Sequence, residues 1–143
     1  MSTKKHIVFI SLIIIMNSCQ LNWFGDIDLG SSFYYIVEPA FNSIVIPVNK
    51  NKPYDSSIYV IKGIESIGYN KEFILVSSMD NDTLKYWKIY KTAETKQLGY
   101  NKNSAMRLSN LTEINFKEFV TTVNSENITL KTKSQYRKEH NYE

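Results

Sequence analysis

The order of strand-like and helical patterns along residues 33–132 is the feature of the sequence that most constrains its fold. Successive runs rich in β-branched and aromatic residues, which favour strands, precede a single helical pattern. The apolar residues of that pattern recur at helical spacing and form one stripe: Phe116, Phe119, Val120 and Val123. Strands that all come before one helix argue against alternating βαβ units. We therefore predict an α+β fold, an antiparallel sheet of about five to seven strands with one C-terminal amphipathic helix packed on it.

Two strand-like segments form the clearest hairpin in the sequence. Residues 73–76 are an unbroken apolar run, which is typical of a strand covered on both faces. The polar turn 80–82 (Asp-Asn-Asp) and the segment 84–91 follow, so we predict that the two segments pair. Gly63 is predicted to make a bend or bulge between two further strands. Other strand-like segments are 33–38, 43–48 and 58–62, with weaker ones at 65–69, 106–108 and 128–132.

The predicted helix has recognisable ends. Thr112 or Asn115 is expected to cap its start, and Glu118 stands three residues after Asn115, as in a capping box. The helix is expected to end near residues 124–125. Between the hairpin and the helix, residues 92–108 are polar and are predicted to form a loop that contains at most one partial strand.

The first 19 residues carry the pattern of an exported, lipid-anchored protein. Lys4 and Lys5 precede an apolar run over 7–16 that only Ser11 interrupts. A transmembrane helix needs about 20 apolar residues, whereas a run of this length suits the apolar region of a secretory signal. Residues 16–19 (Met-Asn-Ser-Cys) then resemble a lipobox, in which the cysteine thiol receives a lipid.

We therefore predict that residues 1–18 are a signal peptide, that cleavage falls between Ser18 and Cys19, and that Cys19 is the lipid attachment site. Cys19 is the only cysteine in the sequence, and a thioether would protect a thiol that could otherwise oxidise in an exported protein. An ordinary signal peptide cut near Ser18 is the alternative. Gln20 is not the aspartate that retains some lipoproteins at the inner membrane, so we expect a periplasm-facing outer-membrane location.

The rest of the chain divides by composition. The predicted parts are a lipidated N-terminus with a short tether at 19–32, a single globular domain at 33–132, and a polar C-terminal tail at 133–143. Trp23 and Phe24 in the tether either lie at the bilayer interface, where aromatic rings are favoured, or pack on the domain.

Charge does not indicate a nucleic-acid partner. Lys4 and Lys5 are two of the 17 Lys and Arg residues, so 15 remain after cleavage against 14 Asp and Glu residues, and the net charge falls from +3 to +1. The densest basic cluster lies within residues 131–138. It is either a solvated end of the chain or a contact with anionic lipid headgroups.

The mature chain lacks the residues that common catalytic and metal sites need. His6 leaves with the signal, His140 stands three residues from the end, and no cysteine follows Cys19. Triads built on His or Cys and the usual zinc sites therefore have no members. Residues 26–30 (Asp-Ile-Asp-Leu-Gly) resemble the start of a calcium loop but lack its third acidic ligand and its glutamate. We predict no catalytic residue, no metal and no cofactor.

Aromatic residues are frequent, with ten Tyr, seven Phe and two Trp. Many of them lie in strand-like segments, where they form either core and half-exposed sheet surface or a surface that binds a partner. Tyr and Trp often anchor protein interfaces. The predicted partner-binding aromatics are Tyr59, Tyr86, Trp87 and Tyr90.

Four motifs follow the lipobox cysteine in a fixed order. They are Asp-x-x-Leu-Gly at 26–30, the apolar strand 73–76, Tyr-Trp-x-Ile at 86–89, and a helix with Phe116 and Phe119. This order resembles a family of small, uncharacterised bacterial lipoproteins with a domain of unknown function, over about residues 26–120. Residues 109–112 (Ser-Asn-Leu-Thr) stand where that family has a Gly-Pro-Leu turn. The resemblance implies a location and a fold, and it implies no activity.

The anchor, the short tether and an aromatic-rich sheet without a catalytic set predict a class of function. We expect a non-enzymatic, membrane-anchored binding or accessory domain of the bacterial cell envelope, held to the membrane by its lipid and able to contact an envelope protein. One alternative is an envelope hydrolase that uses two carboxylates across a cleft, although no spacing in the sequence selects such a pair. The other is a structural or assembly factor.

Overall fold

The computed structural model describes residues 26–38, 40–49 and 57–141. The predicted signal peptide, Cys19, and both tether aromatics lie outside these residues. The strands are β1 (Asp26–Gly30), β2 (Phe33–Ile36), β3 (Ser43–Pro47), β4 (Ser57–Lys62), β5 (Ile64–Tyr69), β6 (Phe73–Asp80), β7 (Thr83–Tyr90), β8 (Gln97–Tyr100), β9 (Met106–Leu108) and β10 (Leu111–Ile114). The helices are α1 (Phe116–Ser125) and α2 (Lys133–Glu139).

The strands form two four-stranded sheets and one two-stranded ribbon, and all their pairings are antiparallel. The first sheet has the order β1-β2-β3-β4, the second has the order β10-β7-β6-β5, and β8 pairs with β9. The antiparallel α+β character that the sequence predicts is confirmed. The predicted count is not, because the described residues contain ten strands and two helices.

Gly63 carries the chain from the first sheet into the second, where a bend is predicted. Its φ of +67° lies in the left-handed region, and its carbonyl accepts a hydrogen bond from the Met79 amide at 2.8 Å. A Cβ at this position would stand 2.6 Å from the Met79 carbonyl oxygen. The bend therefore requires glycine for both conformation and space.

The β6–β7 hairpin has the predicted turn. Asp80 pairs with Thr83, which leaves Asn81 and Asp82 as the two turn residues, with φ of +48° and +60°. A positive φ at both turn residues is typical of the tight hairpin turn whose twist matches that of the strands. Asn and Asp tolerate this conformation better than most residues.

Strand β6 is buried on both faces, as its unbroken apolar run predicts. Ile74 and Val76 belong to the main core between the two sheets, which also contains Tyr35 and Ile44 of the first sheet. Phe73 and Leu75 belong to a second core beneath α1. Alternate residues of a strand point to opposite faces, so β6 separates the two cores.

Helix α1 covers the second core and begins where the sequence indicates. Asn115 caps it, its Oδ1 accepting a hydrogen bond from the Glu118 amide at 2.9 Å. The other predicted cap is wrong, because Thr112 pairs with Lys88 inside strand β10.

The predicted apolar stripe of α1 is only partly buried. Phe119 is buried and lies 4.9 Å from the Tyr86 ring, whereas Phe116 is 62% exposed and Val120 is also exposed. The helix rests on Phe119, Thr122 and the partly buried Val123, so its contact line is narrower than the spacing of apolar residues suggests.

Two elements lie in segments predicted to be a tether and a polar tail. Strand β1 occupies part of the predicted tether, with Ile27 and Leu29 buried in the main core. Helix α2 occupies the predicted polar tail, with Thr132 and Gln135 forming a capping box at its start. Both were hidden in the sequence because each buries few apolar residues, and α2 buries Tyr136 alone.

Residues 128–132, predicted as a short strand, form only an isolated bridge to strand β5. Ile67 and Lys131 form an isolated antiparallel bridge, in which each amide donates to the other's carbonyl, at 2.9 and 2.8 Å.

In the predicted loop 92–108, Met106–Leu108 is a strand as predicted, and Gln97–Tyr100 is a further strand that pairs with it. Within the described residues, neither helix is long and apolar enough to cross a membrane.

Candidate functional site

A cleft of about 750 Å³ opens between strand β4, the β6–β7 hairpin and the β8–β9 ribbon. Small-molecule pockets typically enclose about 300–1,000 Å³, so this cleft has the size of a ligand site. Its described lining residues are Val60, Ile61, Lys62, Ser78, Met79, Asp80, Lys85, Trp87, Leu98, Asn101, Asn103, Ala105, Met106, Arg107, Leu108 and Leu111.

Trp87 is the aromatic side chain of the cleft, and its orientation is fixed. Its indole Nε1 donates a hydrogen bond to Ser78 Oγ at 2.8 Å, across the paired strands β7 and β6. A partly buried tryptophan needs a partner for this N–H, and Ser78 supplies it. The ring packs against the main core, and Lys85 Nζ lies 5.8 Å from it.

The base of the cleft is apolar. Val60, Met106 and Leu108 line it and are all buried members of the main core. Their side chains come from β4 and β9, so the base depends on the ribbon being held against the first sheet.

One large apolar side chain stands exposed at the rim of the cleft. Leu98 of β8 is 53% exposed, whereas Met79 pairs with Leu84 on the face of the hairpin opposite to Trp87. An exposed apolar side chain at the edge of a concave apolar surface is a common feature of binding sites. The cleft is therefore apolar from its base to part of its rim.

Asp80 lies at one end of the cleft inside a polar network. Its Oδ2 is 3.4 Å from Lys85 Nζ, and its Oδ1 accepts hydrogen bonds from the side-chain amides of Asn103 at 3.0 Å and Asn81 at 3.2 Å. Lys85 also lies 3.8 Å from Glu113. The one carboxylate among the described lining residues is thus neutralised by a neighbouring cation.

The other two cations of the lining have no carboxylate within salt-bridge distance among the described residues. Lys62 Nζ donates to the Asn103 carbonyl at 3.2 Å and lies 4.9 Å from the centre of the Tyr59 ring. Arg107 is exposed on strand β9. Arg107 alternates on β9 with the buried Met106 and Leu108, so its side chain points to the other side of the strand. Lys62 adds one positive charge beside the Asp80–Lys85 pair.

The structure does not bring the four predicted aromatics together. Tyr86 and Tyr90 stand on one face of β7, where Tyr86 packs under α1, and Trp87 stands on the opposite face. Tyr59 belongs to the first sheet and lies outside the cleft lining, although it contacts Lys62. Because neighbours on a strand point to opposite sides, the Tyr-Trp pair cannot form one surface. Of the four, Trp87 lines the cleft.

The sequence predicts only one of the two strands of the ribbon that lines the cleft. Met106–Leu108 is the partial strand predicted in this segment, whereas Leu98 and Asn103 lie where a loop is predicted. Met106 and Leu108 alternate with Arg107 and are buried while it is exposed. Strand β8 has no buried residue, so no apolar periodicity marks it in the sequence.

The acidic motif at the start of the described chain makes local contacts. Asp28 Oδ1 accepts a hydrogen bond from the Gly30 amide at 2.8 Å, which shapes the β1–β2 turn. Within the part of the chain that the structure describes, no group of three His, Cys, Asp or Glu side chains is placed to hold a metal ion.

Lys91 follows the last residue of β7, at the end of the β6–β7 hairpin opposite to Gly63. Its Nζ donates to the Leu29 carbonyl at 2.6 Å, and its own carbonyl accepts from Ser31 Oγ at 3.2 Å. Burial lowers the pKa of Lys91, and the nearby Asp28 carboxylate opposes this shift. These contacts join the end of β7 to the β1–β2 turn, so they are structural.

No family model, curated protein or solved structure matches the chain. The resemblance to small bacterial lipoproteins therefore stays a prediction from the sequence motifs.

Proposed function

We propose that this protein is a membrane-anchored binding domain of the bacterial cell envelope, and that the cleft beside Trp87 is its binding site. The observation that carries the proposal is the cleft itself: about 750 Å³ with an apolar base and an exposed apolar side chain, Leu98, at its rim. A concave apolar surface with a few polar groups is the usual form of a ligand site.

The rim supports binding more directly than the base does. Leu98 exposes apolar surface at the mouth of a cleft whose base is already apolar. Burying apolar surface is favourable by about 25 cal/mol per Å², so an occupant that covers this side chain gains free energy. Trp87 is held in place before any ligand arrives, which lowers the cost of ordering the site on binding.

The cleft lining favours binding over hydrolysis. Two carboxylates facing one another across a cleft are what a glycosidase-type hydrolase uses. The described lining has one carboxylate, Asp80, and its oxygens are occupied by Lys85, Asn103 and Asn81. This arrangement suits a positioned structural group better than a general acid.

The predicted anchor would hold the start of β1 close to the membrane. Cys19 precedes the first described residue, Asp26, by seven positions, and an extended chain spans at most about 3.3–3.6 Å per residue. A tether of this length keeps the start of β1 within roughly 25 Å of the lipid attachment point. The proposed occupant is accordingly a molecule of the membrane or of the adjacent periplasm.

Site-specific photo-crosslinking in living cells tests the proposal. A benzophenone amino acid replaces Leu98 at the cleft rim, and in a matched strain it replaces Val120, which is exposed on α1 and does not line the cleft. We expect a discrete adduct of constant mass from position 98 and none of that mass from position 120. The same adducts from both positions, or no adduct from either, would contradict a binding role for the cleft.

A further inference from the structure

We infer that an exposed apolar patch at the tip of the β6–β7 hairpin inserts into the lipid interface of the membrane and holds the anchored domain in one orientation. The patch consists of Met79, Leu84 and Phe116, and we call it the hairpin patch. This inference rests on the membrane anchoring in the proposed function. It concerns the face of the hairpin opposite to Trp87.

The three side chains of the hairpin patch form one continuous surface. Met79 and Leu84 pair across the hairpin and are 42% and 44% exposed. Leu84 and Tyr86, two residues apart, share a face of β7, and the Tyr86 ring lies 5.4 Å from the ring of Phe116, which is 62% exposed. Single exposed apolar side chains are ordinary on a protein surface, whereas grouped ones mark interaction sites.

The hairpin patch lies at the end of the two sheets where the chain enters strand β1. A row of paired residues crosses the first sheet from Asp26 to Lys62. Neighbouring strands lie about 4.8 Å apart, so this row spans roughly 15 Å. The residue after Lys62 is Gly63, whose carbonyl accepts a hydrogen bond from the Met79 amide at 2.8 Å. Asp26 and the hairpin patch therefore share one end of the fold.

The length of the predicted tether allows this end to touch the membrane. The chain from Cys19 to Asp26 reaches at most roughly 25 Å, so a lipid on Cys19 would hold the end that carries the hairpin patch close to the bilayer. The opposite end of the sheets is marked by Lys91, whose amide donates to the Glu72 carbonyl at 2.7 Å. That end would face away from the membrane.

The size and charge of the hairpin patch favour lipid over a second protein. A stable protein interface engages about 20–30 residues on each partner, whereas this patch exposes three large apolar side chains. The charged residues beside it in sequence are two acids and two bases, namely Asp82, Glu118, Lys85 and Lys117. Because these charges balance, the contact depends on apolar insertion and should not require anionic lipid.

Site-directed spin labelling tests the inference. The protein is purified from the membranes of cells that express the full chain and is reconstituted into phosphatidylcholine vesicles. A nitroxide is attached to Leu84→Cys in the patch, or to Lys102→Cys or Lys71→Cys as controls. Cys19 is the one native cysteine, and lipidation would block it, so the introduced thiol alone takes the label.

The two control positions are exposed lysines that separate depth from face. Lys102 precedes Asn103, whose side-chain amide donates to Asp80 at 3.0 Å, so it lies near the hairpin tip but on the cleft side. Lys71 lies in the turn between β5 and β6, at the opposite end. We expect the label at position 84 to collide more with oxygen, which concentrates in lipid, than with a water-soluble nickel chelate. The reverse is expected at positions 102 and 71, and added phosphatidylglycerol should change neither result.

Paired variants assign the insertion to the patch. In protein labelled at position 84, Met79→Ser with Phe116→Ser should lower the preference for oxygen by about twofold or more. The control pair, Leu98→Ser with Tyr100→Ser, removes two apolar side chains of β8 that are 53% and 61% exposed and should leave the preference unchanged. Equal effects of the two pairs would overturn the inference. Far-ultraviolet circular dichroism verifies that each variant is folded before it is compared.

Vesicle flotation distinguishes failure of the inference from failure of the proposed function. If the protein floats with the vesicles while position 84 is as accessible to the nickel chelate as position 102, the anchoring is supported and the inference is wrong. A label at position 84 that is shielded from both reagents would also contradict the inference, because the patch would then be covered by protein, such as a second copy of this chain. If the protein does not float, both the anchoring and the inference fail.

Discussion

The rings of Tyr35 and Tyr136 meet edge to face, with centroids 5.5 Å apart and planes at 81°. This contact joins strand β2 to helix α2, across about a hundred residues of sequence. The Tyr35 hydroxyl also donates to Asn42 Oδ1 at 2.8 Å, and the Asn42 side-chain amide donates to the Ile64 carbonyl at 2.6 Å. One buried aromatic pair therefore connects the C-terminal helix to the main core and to the start of the second sheet.

Loss of this ring contact should destabilise the whole domain. Tyr136→Ala removes the one buried side chain of α2, and aromatic-to-alanine changes in a core cost about 3–5 kcal/mol. We expect the free energy of unfolding to fall by about 3 kcal/mol, measured by urea denaturation. Tyr100→Ala is the control, since Tyr100 is 61% exposed and its loss should cost about 0.5 kcal/mol or less. Equal losses would mean that α2 does not contribute to the core.

Alkaline pH should destabilise the folded chain through the same two tyrosines. Burial is the main cause that raises the pKa of both Tyr35 and Tyr136 well above the ordinary tyrosine value, and the proximity of Tyr136 adds to the shift at Tyr35. The folded state therefore retains two protons that the unfolded chain releases above about pH 10. Their contribution to stability is complete below that pH and is lost as the pH rises beyond it.

Spectrophotometric titration of the phenols measures this effect. Two of the ten tyrosines should stay protonated until unfolding, which circular dichroism follows in parallel. Tyr136→Phe should remove one late-titrating phenol, and Tyr100→Phe should leave the late phase intact. A titration in which all phenols ionise before unfolding would count against the burial argument.

Alanine at the bend between the sheets should be costly. Gly63→Ala meets both a positive φ and the Met79 carbonyl oxygen, which would lie 2.6 Å from the new Cβ. The control is Gly99→Ala, because Gly99 also has a positive φ, of +92°, but a Cβ there would meet nothing within 4 Å. Conformational strain alone costs about 1 kcal/mol, so Gly63→Ala should lower stability by clearly more than Gly99→Ala in thermal unfolding. Equal effects would show that space at Gly63 is not limiting.

Removal of the single cysteine tests the anchor. If Cys19 is the lipid attachment site as predicted, Cys19→Ala should abolish incorporation of labelled palmitate and release the protein from the membrane fraction, because the acyl chains would be attached through this residue. Stable anchoring requires more than one acyl chain, so partial loss of lipid would also shift the protein toward the soluble fraction. Labelling that survives the substitution would refute the prediction.

Local sequence patterns predicted the parts of the fold that depend on residues close together in the sequence. The apolar run 73–76 predicted a strand buried on both faces, and the Asn81-Asp82 pair predicted a tight turn. Asn115 indicated the start of α1. In each case the signal is a periodicity, a turn preference or a cap, which acts over a few residues.

Only the tertiary structure decided the rest. Strand β1 and helix α2 bury too few apolar residues for a periodic signal, and they are ordered by contacts such as Tyr136 with Tyr35. The cleft likewise combines Val60, Trp87, Leu98 and Met106, which lie far apart in sequence. The sequence by itself indicated the strand-rich class, the hairpin and a candidate lipid site at Cys19. Which face of β7 carries Trp87 into a cleft depends on long-range packing, because side chains on a strand alternate and only the partners on each side distinguish its two faces.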